Sequence, residues 1–161
     1  QKIRGAAPYV VLDMPHAWNA WSRRVMLSSD DVIVVAEPDL ASLRNAKNMI
    51  DLIRQSRPND APPRVVLNRV GIPGRPEIPA KDFGDALGLA PSLIIPFDAK
   101  LFGQAANNGQ MIREVGPKSK AAETLEQLAM MITNREAAAA PAAPAKASSS
   151  LLSGLFKKKA T

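Results

Sequence analysis

Residues 30–53 read DDVIVVAEPDLASLRNAKNMIDLI, and this stretch decides the fold. The run VIVVA is apolar on successive residues, which is typical of a strand buried on both faces of a parallel sheet. Asp39 is suited to cap a helix that follows it. Four apolar residues then recur at helical spacing and predict one buried helix face: Leu43, Ala46, Ile50 and Ile53. A buried strand followed directly by an amphipathic helix is the building unit of an α/β protein.

The same alternation extends in both directions along the chain. Short apolar runs at residues 9–12, 32–36, 65–67 and 93–95 predict buried strands, and residues 118–133 predict a last helix. The inner stripe of that helix consists of Ala121, Leu125, Leu128 and Ile132. Because strands and helices alternate, we predict an open, mainly parallel, doubly wound sheet with helices on both faces.

The composition favours one domain and argues against several kinds of site. The chain has 161 residues, of which 46% are hydrophobic, enough for one sizeable core. It has no cysteine and one histidine, which excludes a disulfide framework and disfavours a zinc site. No apolar run approaches the roughly 20 residues that span a bilayer, so we expect a cytoplasmic protein. The chain begins with Gln1 and its first motif is already a predicted strand, so we expect a further part upstream.

Most of the net charge of +6 lies at the C-terminal end of the chain. Residues 135–161 hold five basic residues and one acid, so only two of the six net charges belong to residues 1–134. The aromatic content is 4%, which offers few stacking surfaces for bases. The near-neutral body therefore makes nucleic-acid binding an unlikely function.

Polar residues follow the predicted strands at the positions where open parallel sheets bind ligands. These residues are Asp13, Glu37, Asn68 and the group Pro96, Phe97 and Asp98. An aspartate can hold a magnesium-bound water, and an asparagine offers both a donor and an acceptor to a base edge. Taken alone, such an aspartate caps a turn or helix more often than it binds a metal, and a lone asparagine in a loop usually belongs to a turn. Only their joint spacing points to a nucleotide site.

Four segments in this order resemble the C-terminal half of a deviant P-loop ATPase of the MinD/ParA type. More closely, they resemble its CpaE/TadZ branch, the pilus-assembly and polar-localisation ATPases of Flp-type (Tad) pili. The segments are VVLDMP, DDVIVVAEPDLASLRNAKNMIDLI, RVVLNRVGIPGRPEI and IIPFDAKLFGQAANNGQMI, within residues 8–134. The resemblance implies ATP and Mg²⁺ as cofactors. It implies that Asp13 is the catalytic residue, because it belongs to the switch region that senses the γ-phosphate through the metal. The nucleotide-binding residues that it implies are Asn68, Arg69, Pro96, Phe97 and Asp98.

The sequence departs from that family at the phosphate-binding loop. No GxxxxGK[ST] run occurs in the chain, so we expect that this chain alone does not hydrolyse ATP. Either the loop lies upstream and the whole protein is an ATPase, or the protein belongs to the members with a degenerate loop. His16 and Trp18 follow Asp13 as in the pilus branch, but a solvent-facing imidazole and a packing aromatic explain them as well, and we assign them no catalytic role.

The C-terminal end differs in composition from residues 1–134, which we expect to form the ATPase-like domain. Residues 135–150 are rich in Ala, Pro and Ser and predict a linker, and residues 151–161 form a basic amphipathic tail. The tail combines an apolar helical face with three lysines: Leu151, Leu152, Leu155, Phe156, Lys157, Lys158 and Lys159. This pattern favours contact with an anionic inner-membrane surface, and MinD-like proteins are similar in carrying a membrane-targeting segment at this end. A docking peptide or a disordered basic terminus is the alternative.

The resemblance implies an ATP-binding assembly and localisation factor for Flp-type pilus biogenesis. Such a factor acts through nucleotide-dependent homodimerisation and peripheral membrane association, with the cell pole as a candidate position and other pilus or secretion-system components as partners. The alternative is a MinD/ParA-type partitioning or cell-division positioning ATPase, although partitioning calls for a basic DNA-binding face. A nucleotide-dependent enzyme on a similar sheet is disfavoured, because the chain has no Ser/His/Asp or Cys/His arrangement for nucleophilic catalysis.

Overall fold

The computed structural model describes residues 7–14 and 19–133. The elements in chain order are α1 (Ala20–Leu27), β1 (Ile33–Ala36), α2 (Leu40–Ser56), β2 (Arg64–Val70), α3 (Ala80–Leu87), β3 (Leu93–Pro96), α4 (Ala99–Asn108), α5 (Ile112–Val115) and α6 (Lys120–Ile132). The predicted linker and tail, with all of the predicted membrane-contact residues, lie outside the described residues, as do His16 and Trp18.

The described strands form one parallel sheet in the order β1-β2-β3. Val34 lies opposite Val65, and Val66 lies opposite Leu93. Each strand is connected to the next through at least one helix, as parallel pairing requires. The predicted parallel α/β architecture is therefore confirmed.

Helices α2 and α3 cover one face of the sheet. The buried residues of this face are Val34, Ala36, Ala46, Ile50, Val65, Leu67, Phe83 and Leu87, and Leu43 packs against them. The side chain of Asp39 caps α2 by accepting the N–H of Ser42 at 2.7 Å, as predicted. The predicted inner face of α2 is also confirmed, since Ala46, Ile50 and Ile53 are buried.

Helices α4, α5 and α6 lie on the other face of the sheet. The buried residues there are Val66, Leu93, Ile95, Leu101 and Ala121, with Leu125 and Leu128 packed against them. The helix predicted over residues 118–133 is observed as α6, and its N-cap is Ser119, whose hydroxyl accepts the N–H of Ala122 at 3.1 Å. Both faces of the sheet therefore carry helices.

Residues 7–14 do not form the strand that was predicted over 9–12. The segment is irregular, and its apolar side chains are exposed, that of Val11 by 84%. A strand is stable only where a neighbour supplies backbone partners. Within the described part of the chain, residues 7–14 make no backbone hydrogen bond to the sheet, and the hydroxyl of Tyr9 donates to the carbonyl of Thr133 at 3.3 Å. The prediction of this strand from its apolar run is therefore wrong.

The described helices are also relevant to the membrane prediction. Among residues 7–14 and 19–133, none of the helices combines the length and apolar character needed to cross a bilayer.

Candidate functional site

The carboxyl ends of β2 and β3 bring the predicted nucleotide-binding residues to one edge of the sheet. Val70 lies opposite Pro96, and the N–H of Phe97 donates to the carbonyl of Val70 at 2.8 Å. This pairing fixes the two strand ends side by side. The residues that it gathers at the edge are Asn68, Arg69, Pro96, Phe97 and Asp98.

Strand β2 is irregular at Asn68 and Arg69. The register with β3 shifts between Leu67 and Val70, and Arg69 has a φ of 57°, the only positive value of a non-glycine residue in the described chain. A left-handed backbone costs a non-glycine residue roughly 1–2 kcal/mol. Asn68 supports this conformation, because its Oδ1 accepts the N–H of Arg69 at 2.9 Å. Such an irregularity changes the direction in which side chains leave the strand, and residues in unusual backbone conformations cluster at functional sites.

Asn68 retains hydrogen-bonding capacity at this edge. Its side-chain oxygen is used by Arg69, and its Nδ2 has no partner among the described residues. The amide is half-buried at the end of β2. It can therefore donate to an acceptor on a ligand without breaking a contact within the protein.

Four charged side chains form a network beside Asn68: Glu37, Arg69, Arg75 and Glu77. Glu37 follows β1, and its two oxygens accept from different arginines, Oε1 from Arg69 at 2.8 Å and Oε2 from Arg75. Arg75 also donates to the carbonyl of Arg69 at 2.8 Å and to Glu77 at 3.0 Å. The network thus joins the ends of β1 and β2 to the loop that follows β2.

Glu77 fixes the start of that loop. Its carboxylate accepts the backbone N–H groups of Gly71, at 3.0 Å, and Ile72, at 3.2 Å. The hydrogen bond from Gly71 is the largest effect that lowers the pKa of Glu77, and the hydrogen bonds from Arg75 and Ile72 add to it against the opposing effect of burial. The N–H of Ile78 donates to the carbonyl of Pro38 at 2.8 Å, which ties the end of the loop to the chain after β1.

Arg75 is the centre of the network. Burial by itself would lower the pKa of its guanidinium, but the hydrogen bonds and charges of Glu77 and Glu37 outweigh burial and raise the pKa. Its Nε is buried without a hydrogen-bond partner in the described structure. Arg75 is therefore charged at every physiological pH and holds both glutamates and the backbone of Arg69 together.

Asp98 and Asp13 differ in how the structure accommodates them. Asp98 is the N-cap of α4, where its Oδ1 accepts the N–H of Leu101 at 2.9 Å, so one of its oxygens stabilises the helix. Asp13 lies in the irregular segment at residues 7–14, and the prediction that it follows a strand is wrong. Among the residues that the structure describes, no group of three or more His, Cys, Asp or Glu side chains could hold a metal.

Two members of the charged network, Arg75 and Glu77, were not predicted from the sequence. Glu37 was expected to follow a strand, but no role was assigned to it. The available signal was the segment GIPGRPEIP, in which Gly71 and Gly74 mark turns with φ values of 88° and 73°. Turn residues of this kind locate a loop but do not reveal which charges it pairs.

Comparison with known proteins gives one sequence relative. No known protein-family profile matches the chain. The septum site-determining protein MinD of Bacillus subtilis is 31% identical over 70 residues, which cover 44% of this chain and 26% of that protein. The chain therefore spans about a quarter of the length of this curated relative.

Several solved structures share the fold. The cell division ATPase MinD of Pyrococcus furiosus superposes with a TM-score of 0.70 at 22% identity, and a chain of the MinC:MinD cell division protein complex of Aquifex aeolicus superposes with a TM-score of 0.66 at 21% identity. Each match covers 83% of this chain and 55% of the other. A ParA family ATPase from Chlorobium tepidum gives 0.58 at 24% identity, covering 70% of this chain and 45% of that one. The chain therefore shares the fold of these MinD and ParA ATPases and is similar in sequence to part of MinD.

Proposed function

We propose that this chain forms the base-binding edge of an adenine-nucleotide site in a MinD/ParA-type ATPase. The observation that carries the proposal is the juxtaposition of Asn68 and Arg69, at the irregular end of β2, with Pro96 and Phe97, at the end of β3. Ligands of open α/β sheets bind outside the carboxyl ends of the strands, and this is such an edge. The donor Nδ2 of Asn68 is available there to an acceptor on the base.

The cofactors of this proposal are ATP and Mg²⁺. Magnesium is usually held by one or two carboxylates together with substrate phosphates and water, rather than by a protein cage. A single exposed aspartate such as Asp13 fits that preference. We assign Asp13 to the switch role, in which it responds to the metal and the γ-phosphate.

Titration calorimetry with ATP and Mg²⁺ on the whole protein tests the base-binding role. Replacing Asn68 with alanine should weaken binding by roughly 1–3 kcal/mol, because a buried polar edge of the base would lose its partner. Asn45→Ala makes the same chemical change at an exposed position on α2 and should leave the affinity unchanged. Equal affinity of the parent and Asn68→Ala would contradict the assignment.

For the biological role, we propose assembly and localisation of Flp-type (Tad) pili. The DMPH, LNRVG and PFDAKLFGQAANNGQ segments support this branch of the family. Positioning of cell division is the second candidate, favoured by the match to the septum site-determining protein MinD. Deleting the gene distinguishes them: loss of surface pili with normal division supports the first role, and misplaced septa with normal piliation support the second.

Homodimerisation and membrane contact complete the proposal. Residues 151–159 combine an apolar face with three lysines, and two such tails in a nucleotide-bound dimer would bind an anionic membrane more tightly than one. Pilus or secretion-system components are the proposed protein partners at that surface. A chain that ends at residue 150 and still sediments with anionic vesicles as the parent does would contradict the membrane role.

A further inference from the structure

Arg69 is the most exposed member of the charged network. Its side chain is 53% exposed, compared with 25% for Arg75. Among the described residues, its guanidinium bonds only to Glu37, at 2.8 Å. Exposed ion pairs of this kind are weak, so another partner can replace Glu37.

Glu37 does not lose all of its partners when Arg69 leaves. Its second oxygen stays paired with Arg75, which Glu77 also holds in place. Removing the only partner of a half-buried carboxylate would be costly, but Glu37 keeps one. The free-energy cost of separating Arg69 from Glu37 is therefore small.

The hydrogen bonds that hold the backbone of Arg69 do not involve its own guanidinium. The N–H of Arg69 donates to Asn68, and its carbonyl accepts from Arg75 at 2.8 Å. These contacts hold the left-handed conformation at φ 57°. Successive side chains of a regular strand point to opposite faces, but β2 is irregular between Leu67 and Val70 and Arg69 is left-handed. The guanidinium, once it leaves Glu37, can therefore turn towards a ligand bound by Asn68.

We infer that Glu37 is a positioning residue that competes with the nucleotide for Arg69: it holds the guanidinium while the site is empty and gives it up to the purine face of the bound nucleotide. Arginine suits this exchange, because its planar guanidinium pairs with carboxylates and also stacks on aromatic rings. The inference rests on the proposed nucleotide site. If Glu37 only supported the site, its removal would weaken nucleotide binding. The inference predicts the opposite, that its removal strengthens binding.

The test is calorimetric titration of the whole protein with ATP and Mg²⁺. Replacing Glu37 with glutamine should tighten binding about two- to fivefold, the range expected from removing one exposed ion pair in the free protein. In the background of Arg69→Ala, the same replacement should have no effect, because there is no guanidinium left to release. The advantage of Glu37→Gln should also shrink as salt rises, since salt screens the pair in the parent.

Two control variants separate this effect from general ones. Glu123→Gln on α6 removes one negative charge from an exposed pair with Lys120 and should not tighten binding, which controls for net charge. Glu77→Gln removes a partner of Arg75 without touching the guanidinium of Arg69 and should not tighten binding either. Circular dichroism of each variant confirms that the fold is retained.

Each outcome decides the inference. Weaker or unchanged binding by Glu37→Gln, in a protein whose Asn68→Ala variant is impaired, overturns the inference and leaves the proposed site standing. Tightening that persists in the Arg69→Ala background also overturns it. If neither the parent nor Glu37→Gln binds ATP, the proposed function fails, and the inference fails with it.

Discussion

The interior under α2 and α3 and the charged edge directly beyond it are built from the same strand in different ways. Within β2, Val65 and Leu67 are completely buried, whereas Arg69 two residues later is more than half exposed. The interior is held by apolar contact, and the edge by ion pairs and backbone hydrogen bonds. Burial contributes far more to stability than exposed charge pairs do. The edge is therefore free to serve binding, while the interior maintains the fold.

The largest effect should come from the interior. Phe83 on α3 is completely buried in the apolar cluster shared with α2 and the sheet, so Phe83→Ala should lower the free energy of unfolding by about 3–5 kcal/mol through lost burial and a residual cavity. Leu40→Ala, at a side chain that is 66% exposed, is the control and should stay within about 0.5 kcal/mol of the parent. Urea unfolding followed by circular dichroism measures both. A similar loss of unfolding free energy in the two variants would contradict the view that the buried interior maintains the fold.

A smaller, pH-dependent effect should come from Glu77 at the edge. Its pKa is lowered in the folded protein from the ordinary value of 4.5, so below pH 4.5 the unfolded chain takes up a proton before the folded one does. The stability that Glu77 contributes is then fully present above pH 4.5 and is lost as the pH falls through the lowered pKa.

The melting temperatures of the parent and Glu77→Gln, measured from pH 7 down to about pH 2, show this directly. The variant should melt lower than the parent at neutral pH, and the difference should disappear at the acid end. Titration of the other carboxylates affects both proteins and cancels in the difference. A difference in melting temperature that stays constant with pH would show that the charge of Glu77 does not hold the loop.

The smallest effect should come from the backbone of Arg69. Arg69→Ala and Arg69→Gly both remove the guanidinium, but only glycine adopts a φ of 57° without steric cost. The glycine variant should therefore be the more stable of the two, by up to about 1 kcal/mol after its larger loss of chain entropy. Parallel urea titrations of the two variants measure the difference. An alanine variant of equal or greater stability would mean that β2 carries no strain at this position.

The elements that the sequence predicts well are those with a local signal. The cap Asp39 directly precedes α2, and the apolar spacing lies within α2 itself, so both signals are local. Both predictions are confirmed. The run at residues 9–12 carries the same apolar signal as β1, but a strand also needs a neighbour, which no local pattern supplies. The strand ends at Asn68 and Pro96 could be placed together because parallel strands end at one edge.

The charged network could not be read from the sequence. Glu37 and Arg75 are 38 residues apart, and their pairing depends on how the loop after β2 folds back towards β1. The left-handed backbone of Arg69 also has no sequence signal, because glycine is the residue that usually marks it. Both features arise only when distant segments of the chain meet.

Residues 9–12 and the outer side of β1 bear on how residues 1–161 would behave on their own at high concentration. Residues 9–12 are exposed and apolar and are of types that favour strands, and β1 has no neighbour on its outer side among the described strands. Extended apolar segments and free strand edges are templates for pairing between chains. We expect this stretch of chain, expressed by itself, to self-associate at these two surfaces, so a segment or partner that covers either of them would also keep it soluble.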